Sequence, residues 1–470
     1  MRKISKLNGL ILIIVYLILM YMIYNLNLLP VRYFLIIGGV LSLFVLLFVF
    51  KLTRRRTGFI SRIAFNILSI IFIILSIYGM TYINATNNFL TGMVAKNFET
   101  VTYDLIYNSN SSYTHVGDMY DKEVGYLSTD SDYKLVKYKV RSDVKYKEKK
   151  YTNAEEFEQA IENGEVSGVI MKDSYYEILK EEYTELEENT KVIKQYKIIV
   201  KKKNTKEKKK NTSKEPFLVY ISGIDTYGSI TNVSRSDVNI LAAVNPNDGK
   251  ILLVSIPRDY YVQLHGTTGS KDKLTHAGIY GIDTSMDTIN DLLDTDIDYF
   301  VRINFSTLTT VVDLVDGVDV YSDMNVTTTG SPSYTFTEGV NHMSGEEALA
   351  FARERHAYST GDRHRGENQQ AIITALIKKL SDKKYVTKYK NILSSLDGSF
   401  ETSMRYEEMT ELFKMQLTKK TNWRVESISL DGTGTLAETY SMGSRKLYVM
   451  IPDESTIATA KEKLNSYLGE

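Results

Sequence analysis

The fold is decided by three short apolar segments, which read FLVYISGI at residues 217–224, VNILAAVN at residues 238–245 and KILLVSIP at residues 250–257. Each has strand length, and Asn247-Asp248-Gly249 between the last two is a typical hairpin turn. Further strands alternate with helical periodicity after residue 280. This alternation predicts a three-layer α/β/α fold for residues 216–470.

The remaining elements of this part of the chain follow from apolar spacing and helix-start signals. Helices are predicted at residues 284–293, 306–315, 345–354, 367–379, 385–396, 406–417 and 453–468. Strands are predicted at residues 299–304, 318–321, 423–430 and 446–451.

Two aspartates flank the first two strands. Asp225 follows the first strand, and Asp237 comes directly before the second. If those strands are neighbours, both carboxylates face one crevice at the sheet edge, where α/β folds bind ligands. Carboxylate oxygens suit Mg²⁺ when substrate phosphates complete its shell. Taken alone, turn or capping roles are the commoner explanation for such aspartates.

Arginines are unusually dense in the same part of the chain. Arg258 follows the third strand, and Arg353 and Arg355 lie near a predicted helix end. Arg365 and Gln369 are four residues apart and share one helix face. Arginine forks match phosphate oxygens in a bidentate manner, so the set favours a phosphate-bearing ligand. Surface ion pairs are the alternative for each arginine taken singly.

Three apolar runs precede residue 85, at residues 7–26, 31–50 and 63–83. Each is close to the roughly 20 residues that cross a hydrocarbon core, so we expect three transmembrane helices. Lysine and arginine cluster before the first run and between the second and third. The positive-inside rule therefore predicts a multi-pass membrane protein with a cytoplasmic N-terminus and extracellular C-terminal domains. Buried core helices are the disfavoured alternative.

Residues 85–200 are predicted to form a small α/β domain. Lysine alternates with apolar residues at 132–144, which predicts a strand, and a second strand is expected at 166–171. Helices are predicted from residue 154 and at 174–186. We interpret the acidic residues of this domain as a solvated face rather than a metal site.

Residues 201–215 form a lysine-rich linker. So dense a run of like charges repels itself and stays solvated, which favours a flexible spacer. Attraction to an anionic surface is the functional alternative.

Composition excludes several classes of site. The chain has no cysteine, so it has neither disulfides nor thiolate chemistry, and its formal net charge is zero, which argues against nucleic-acid binding. The six histidines show no zinc-type spacing. His276, His356 and His364 are weak candidates for a general base, and His276 is better explained as a hydrogen-bonded structural group.

Several motifs together resemble the LytR-CpsA-Psr family of Gram-positive cell-envelope proteins, and within it the CpsA-type members of capsule loci. They are Gly223-Ile224-Asp225-Thr226, Ser234-Arg235-Ser236-Asp237, Ser255-Ile256-Pro257-Arg258-Asp259, Lys273-Leu274-Thr275-His276-Ala277, Ala352-Arg353-Glu354-Arg355 and the run from Gly361 to Gln370. The resemblance covers about residues 217–380. The three spans and the preceding small domain also resemble the capsule-linked branch.

The resemblance implies a three-span membrane anchor (residues 1–84), an extracellular accessory domain (85–200), the linker (201–215) and a LytR-CpsA-Psr catalytic domain (216–470). It implies transfer of a capsular polysaccharide, or a related glycopolymer, from a polyprenyl pyrophosphate carrier to peptidoglycan, with formation of a phosphodiester. The position of the accessory domain suggests contact with capsule assembly proteins.

The same resemblance assigns roles to residues of this chain. Asp225 and Asp237 would hold Mg²⁺ or Mn²⁺, and either aspartate is a candidate base. The pyrophosphate would be bound by Arg235, Arg258, Arg353, Arg355, Arg365 and Gln369. The direct catalytic set would be Asp225, Asp237, Arg258, Arg353 and Arg355, with Asp362 orienting an arginine. Val311, Val312, Leu314 and Val315 are candidates for an apolar slot for the lipid, although ordinary core packing explains them better.

Two rival functions stay open at this point. One is a non-catalytic binder of lipid-linked polymer that modulates capsule assembly, which needs the same arginines but no turnover. The other is a regulator of capsule transcription, which the predicted extracellular position of the basic linker argues against.

Overall fold

A computed structural model describes residues 2–94, 98–201, 209–224, 233–381, 400–419 and 421–469. Within these ranges the chain forms three apolar N-terminal helices, a small α/β region (residues 98–201) and a large α/β region (residues 217–469). The predicted helix at residues 385–396 and residues 202–208 of the lysine-rich segment lie outside the described residues.

The N-terminal helices are α1 (Arg2–Leu26), α2 (Val31–Thr53) and α3 (Phe59–Met93). All three are long and apolar enough to cross a membrane. Asn8 on α1 donates hydrogen bonds to the Ser69 hydroxyl (2.6 Å) and the Asn66 side-chain oxygen (3.0 Å) on α3. Polar contacts of this kind hold helices together where the surrounding lipid provides no hydrophobic driving force.

The small α/β region is built on a five-stranded sheet in the order β3-β2-β4-β1-β5. Its strands are β1 (Phe98–Asn108), β2 (Glu123–Leu127), β3 (Lys147–Tyr151), β4 (Gly168–Lys172) and β5 (Thr190–Lys201). Its helices are α4 (Tyr133–Asp143), α5 (Ala154–Glu162), α6 (Asp173–Glu182) and α7 (Thr184–Asn189), with a 3₁₀ turn at Val116–Met119. The Asn153 side chain accepts from the Glu156 backbone amide and caps α5, which confirms the predicted helix start.

The strand predicted at residues 132–144 is wrong, because this segment is the helix α4. Tyr133, Val136 and Val140 are buried, and their spacing of three and four residues places them on one helical face. The flanking strands β2 and β3 are parallel, so they require a crossover connection, and α4 supplies it.

The large α/β region contains fourteen described strands and six described α-helices. The strands are β6 (Phe217–Ile224), β7 (Val238–Asn245), β8 (Lys250–Ser255), β9 (Tyr261–Val262), β10 (Asp272–Lys273), β11 (Tyr299–Asn304), β12 (Val318–Ser322), β13 (Val326–Thr327), β14 (Thr335–Phe336), β15 (Gly339–Met343), β16 (Phe400–Thr402), β17 (Arg424–Ser429), β18 (Gly432–Thr439) and β19 (Gly443–Pro452). The helices are α8 (Ile282–Leu293), α9 (Phe305–Leu314), α10 (Gly345–Arg353), α11 (Asp362–Leu380), α12 (Tyr406–Lys419) and α13 (Glu454–Leu468), with a 3₁₀ helix at Leu274–Tyr280.

The central sheet of this region has the order β16-β11-β6-β7-β8-β17. The pairs β6–β7 and β7–β8 are antiparallel, whereas β6–β11 and β8–β17 are parallel. Gly249, at a φ of 61°, forms the predicted hairpin turn between β7 and β8. The carboxyl ends of β6, β8, β11 and β17 therefore share one edge with the start of β7.

Alternate residues of these strands pack on opposite layers of helices. Leu241 and Leu252 belong to a core shared with α8 and α13, whereas Ile240 and Leu253 belong to a core with α11 and α12. Burying each such side chain contributes about 1.5–3 kcal/mol. The predicted three-layer α/β/α fold is confirmed.

A third core lies beside the sheet, between α9, α10, α11 and β12. Val312 and Val315 are buried in it, as the core-packing explanation predicted. Phe89, near the end of α3, is buried in the same core. The third apolar helix thus continues from the predicted membrane span into the packing of the large α/β region.

Candidate functional site

A cavity of about 1120 Å³ opens at the sheet edge where β6, β8 and β11 end. Most of the predicted ligand-binding side chains line it: Arg235, Asp237, Arg258, Arg353, Arg355, Arg365 and Gln369. They come from the start of β7, the end of β8, the end of α10 and the first turns of α11. Asp225 lies outside the described residues, so its predicted place beside Asp237 stays a prediction.

An ion pair between Asp237 and Arg258 lies at this edge. Arg258 Nη1 donates to Asp237 Oδ1 at 2.7 Å, and the Asp237 backbone amide donates to the Gly223 carbonyl at 2.8 Å. Burial alone would raise the pKa of Asp237, but the charges of Arg258 and Arg235 outweigh it and hold that pKa below its usual value. Asp237 is therefore a carboxylate at neutral pH.

The second oxygen of Asp237, Oδ2, is buried and has no hydrogen-bond partner among the described residues. Leaving a buried carboxylate oxygen without a partner costs free energy unless a cation or a hydrogen-bond donor contacts it. No group of three or more histidine, aspartate or glutamate side chains in the described ranges is placed to hold a metal ion. The buried Oδ2 of Asp237 fits Mg²⁺ in the mode in which one or two carboxylates and substrate phosphates share the coordination.

The start of α11 places Arg365 and Gln369 on one face, as their spacing predicts. Arg365 Nη2 lies 2.5 Å from Asp362 Oδ1, and Gln369 Nε2 donates to the Ala352 carbonyl at 3.2 Å. Burial lowers the pKa of Arg365 and raises the pKa of Asp362. Asp362 thus lies where its predicted orienting role requires.

The first turn of α11 packs directly against the end of β8. A Cβ atom added at Gly366 would lie 2.5 Å from the Ser255 hydroxyl, so a larger residue here would force that hydroxyl to move. Gln370 then donates to the carbonyls of Leu253 (3.1 Å) and Ile428 (2.7 Å). Gln370 therefore joins α11 to two strands and has a structural role.

Both Arg353 and Arg355 line the cavity because α10 ends between them. Glu354 has an extended backbone (φ −66°, ψ 128°), which turns the chain after Arg353. The Arg353 guanidinium carbon lies 4.5 Å from the centroid of the Phe305 ring, and Arg355 Nε donates to His356 Nε2 at 3.2 Å. Residues two positions apart on a continuous helix point in different directions, so the end of α10 at Arg353 is what allows both arginines to reach the same cavity.

Glu354 is a positioning residue that the sequence did not single out. Its carboxylate is buried and accepts from the backbone amides of Thr329 (2.5 Å) and Ala357 (2.9 Å). Burial would raise the pKa of Glu354, but these backbone donors hold it below its usual value. Glu354 thus ties the cavity-lining segment at residues 328–332 to the turn that carries Arg353 and Arg355.

A second set of charges enters the cavity from the small α/β region. Arg235 forms a two-point ion pair with Glu181, at the C-terminal end of α6. Lys273 lies 3.4 Å from Asp259 Oδ1 and 3.8 Å from Glu182 Oε1. Glu181 and Glu182, which were expected on a solvated face, line the cavity, and the Glu181 side chain is exposed there.

The cavity also has an apolar lining, which is contributed by Ile221, Val238, Phe305, Leu308, Leu349 and Ile372. The four residues proposed from the sequence for a lipid slot, Val311, Val312, Leu314 and Val315, belong to or pack against the neighbouring core. The residues of this apolar lining come from strands and helices. No local sequence pattern distinguishes them from ordinary core residues.

His276 does not face the arginines. It is buried and hydrogen-bonded through Nδ1 to Asp272 Oδ1 at 2.7 Å and to the Ser441 hydroxyl at 2.9 Å. Asp272 and Ser441 both contact Nδ1 of the imidazole, so buried hydrogen bonds hold the ring in place. The structural interpretation of His276 is confirmed.

The LytR_cpsA_psr family model matches residues 182–466. The chain belongs to the LytR-CpsA-Psr family. The matched range begins at the last residue of α6 and ends within α13.

Named relatives of this LytR-CpsA-Psr protein include two transferases. A polyisoprenyl-teichoic acid–peptidoglycan teichoic acid transferase TagU of Enterococcus faecalis is 33% identical over 260 residues, which cover 54% of this chain and 81% of the relative. The Bacillus subtilis transferase TagV is 30% identical over 273 residues, which cover 57% of this chain and 68% of the relative.

Solved structures similar to this chain include two related proteins. The crystal structure of B. subtilis TagV has 30% identity and a TM-score of 0.45, covering 55% of this chain and 98% of that one. A structure of TagT bound to LIIa-WTA has 27% identity and a TM-score of 0.45, covering 56% of this chain and 94% of that one.

Proposed function

We propose that this protein is a membrane-anchored phosphotransferase that moves a glycopolymer from a polyprenyl pyrophosphate carrier to peptidoglycan. The observation that carries the proposal is the cavity, which is lined by five arginines, among them Arg258 in its ion pair with Asp237, and also by apolar side chains. A pyrophosphate joined to a hydrocarbon chain requires both kinds of surface. The names of the transferase relatives support it.

The reaction joins a sugar hydroxyl of peptidoglycan to the phosphorus that bears the polymer. The new P–O bond forms as the bond to the polyprenyl phosphate breaks, and the hydroxyl proton is lost. Arg258, Arg353 and Arg355 stabilise the negative charge that develops on the phosphoryl and leaving oxygens. Arg365, Arg235 and Gln369 bind the donor, and Asp362 orients Arg365.

Asp237, together with Asp225, would hold Mg²⁺ or Mn²⁺, which supplies further charge neutralisation when bound. The lowered pKa of Asp237 suits a permanently charged ligand better than a proton acceptor, because a general base works best with a pKa near the operating pH. Asp225 is then the remaining candidate of the two for the base.

We infer that the polymer is capsular polysaccharide from the resemblance of the three-span anchor and the small α/β region to the capsule-linked branch. Teichoic acid, named for the relatives, is the competing polymer. The boundaries 1–84, 85–200, 201–215 and 216–470 remain predictions, and the two separate sheets support them.

The orientation in the membrane is also part of this proposal. Tyr406 donates to the Leu26 carbonyl at 2.6 Å, and Lys414 to the Asn27 side-chain oxygen at 2.8 Å. The α1–α2 turn thus lies on the side of the large α/β region, away from the basic residues between α2 and α3. This supports an extracellular site and a cytoplasmic N-terminus.

The test uses full-length protein in detergent with Mg²⁺, peptidoglycan free of polymer, and polyprenyl-pyrophosphate-linked capsular glycan or teichoic acid as parallel donors. A peptidoglycan–glycan phosphodiester and released polyprenyl phosphate are expected. Asp237→Ala and Arg355→Ala should each lower the rate by about 10²-fold or more.

The matched control is Arg363→Ala, since Arg363 belongs to the same motif but pairs with Asp431 at 2.6 Å on the surface. Product formation that both site variants leave intact would refute the proposal. Binding of the donor without product would instead support the non-catalytic binder.

A further inference from the structure

The C-terminal end of α6 inserts two acidic residues of the small α/β region into the cavity of the large one. Glu181 and Glu182 line it together with Arg235 and Arg258. Glutamates at the C-terminal end of a helix are locally unfavourable, because the helix dipole is negative there. Their stability at this position depends on cations supplied from outside the helix.

Arg235 is held by Glu181 through both terminal nitrogens. Nη1 donates to Oε2 at 2.6 Å and Nη2 to Oε1 at 2.5 Å. The Arg235 side chain is 15% exposed, whereas that of Glu181 is 54% exposed. The guanidinium is therefore fixed in the cavity wall, and the carboxylate covers its end-on edge from the solvent side.

That edge can bind one pair of oxygens at a time, from a carboxylate or from a phosphate. A phosphate that approaches Arg235 end-on must displace Glu181 or meet its negative charge. Glu181 is itself partly exposed, so a released carboxylate regains water.

Other contacts hold α6 in place without the Glu181 carboxylate. Arg445 stacks on the Tyr183 ring, with its guanidinium carbon 4.0 Å from the centroid, and Lys273 lies near Glu182. Tyr175, which is buried, donates to the Ser441 carbonyl. Removing the charge of Glu181 should therefore leave the helix where it is.

We propose that Glu181 is a positioning residue through which the small α/β region regulates donor binding, by competing with the donor phosphate for Arg235. This inference rests on the proposed function. Glu181 lies just before the range that the family model matches, so the competing group is contributed by the part of the chain outside that range.

The experiment measures binding of inorganic pyrophosphate, with Mg²⁺, to the full-length protein by calorimetry. Glu181→Gln should lower Kd by about fivefold, the range for a partly exposed ion pair. The gain should shrink at high salt, since screening weakens the competing charge. With the lipid-linked donor, KM should fall by more than kcat changes.

Two controls isolate the contact. Glu185→Gln removes the same charge from an exposed position on α7 and should leave Kd unchanged. In an Arg235→Gln background, Glu181→Gln should have no effect, because the competition acts through Arg235.

An unchanged or higher Kd for Glu181→Gln, or the same gain without Arg235, would overturn the inference. The proposed function fails in a different way: Glu181→Gln would then lower the Kd for pyrophosphate through Arg235 as expected, yet neither wild type nor the variant would form the peptidoglycan–glycan product.

Discussion

Arg258 occupies one oxygen of Asp237 at 2.7 Å and leaves the other oxygen buried with no hydrogen-bond partner in the described chain. If that second oxygen is a ligand of a bound cation, Asp237→Asn should lower metal-dependent turnover by about 10²–10³-fold. The decisive measurement is the rate as a function of Mg²⁺ concentration. Asp248→Asn, on the exposed hairpin turn, should keep the wild-type curve, and a normal curve for Asp237→Asn would argue against the metal.

Arg258→Lys tests whether the fork geometry matters beyond the charge. Lysine keeps the charge but cannot contact Asp237 and a phosphate through separate nitrogens of one plane, so kcat should fall about tenfold to 10²-fold. Steady-state kinetics of the transfer reaction provide the measurement. Lys250→Arg, the converse change at a surface strand end, serves as the control, and a fully active Arg258→Lys would show that charge alone suffices.

Glu354→Gln should disturb the turn that places Arg353 and Arg355. The neutral amide cannot accept from the amides of Thr329 and Ala357 as strongly as the carboxylate, so the segment at residues 328–332 should loosen. We expect about a tenfold lower kcat/KM and faster amide exchange at these residues. Hydrogen exchange that matches wild type, as expected for the exposed control Glu338→Gln, would contradict this role.

Asp104, in β1, should make stability fall as pH rises. Burial, followed by the nearby Asp173 charge, raises the pKa of Asp104 to about 7 from an ordinary 3.8. The folded state therefore binds this proton more tightly than the unfolded state, and its advantage is lost between pH 4 and pH 7. Asp104→Asn should raise Tm relative to wild type by at least about 2 °C at pH 8 and by less at pH 5. The measurement is Tm from thermal melts at pH 5 and pH 8, with Asp121→Asn at an exposed position as the control. The same Tm difference between Asp104→Asn and wild type at both pH values would refute the coupling.

Leu349→Ser tests the apolar lining of the cavity. Losing this half-buried side chain should weaken binding of a long-chain polyprenyl donor by about tenfold and barely affect a short-chain one. The comparison is made by KM for the two donors. Leu380→Ser, at an exposed helix end, controls for a general loss of apolar surface. Equal effects on both donors would place the hydrocarbon chain elsewhere.

Much of this architecture could be predicted because local patterns were unambiguous. The strands β6, β7 and β8, the capped start of α10 at Ser344 and the spacing of Arg365 and Gln369 all depend on nearest neighbours in sequence. The helix α4 could not be recognised in this way. Its lysines alternate as in a strand, and only the parallel pairing of β2 with β3, a long-range constraint, requires a helix there.

The contributions of Glu181 and Glu354 to the site could not be read for a similar reason. A glutamate is usually solvated, and nothing near Glu181 in sequence reveals that Arg235, 54 residues away, lies against it. The only local signal was the unfavourable placement of acidic residues at the end of α6. For Glu354, the signal was hidden by the two arginines that flank it.

The continuity of α3 fixes the distance between the predicted third membrane span and the large α/β region. Beyond the predicted end of the third span at residue 83, the helix runs uninterrupted to Met93, a rise of about 15 Å, and Phe89 is already packed in the core next to the cavity. In the proposed function, an extension of this length would hold the cavity near the lipid headgroups, within reach of a membrane-bound carrier. The peptidoglycan acceptor would then have to lie close to the bilayer.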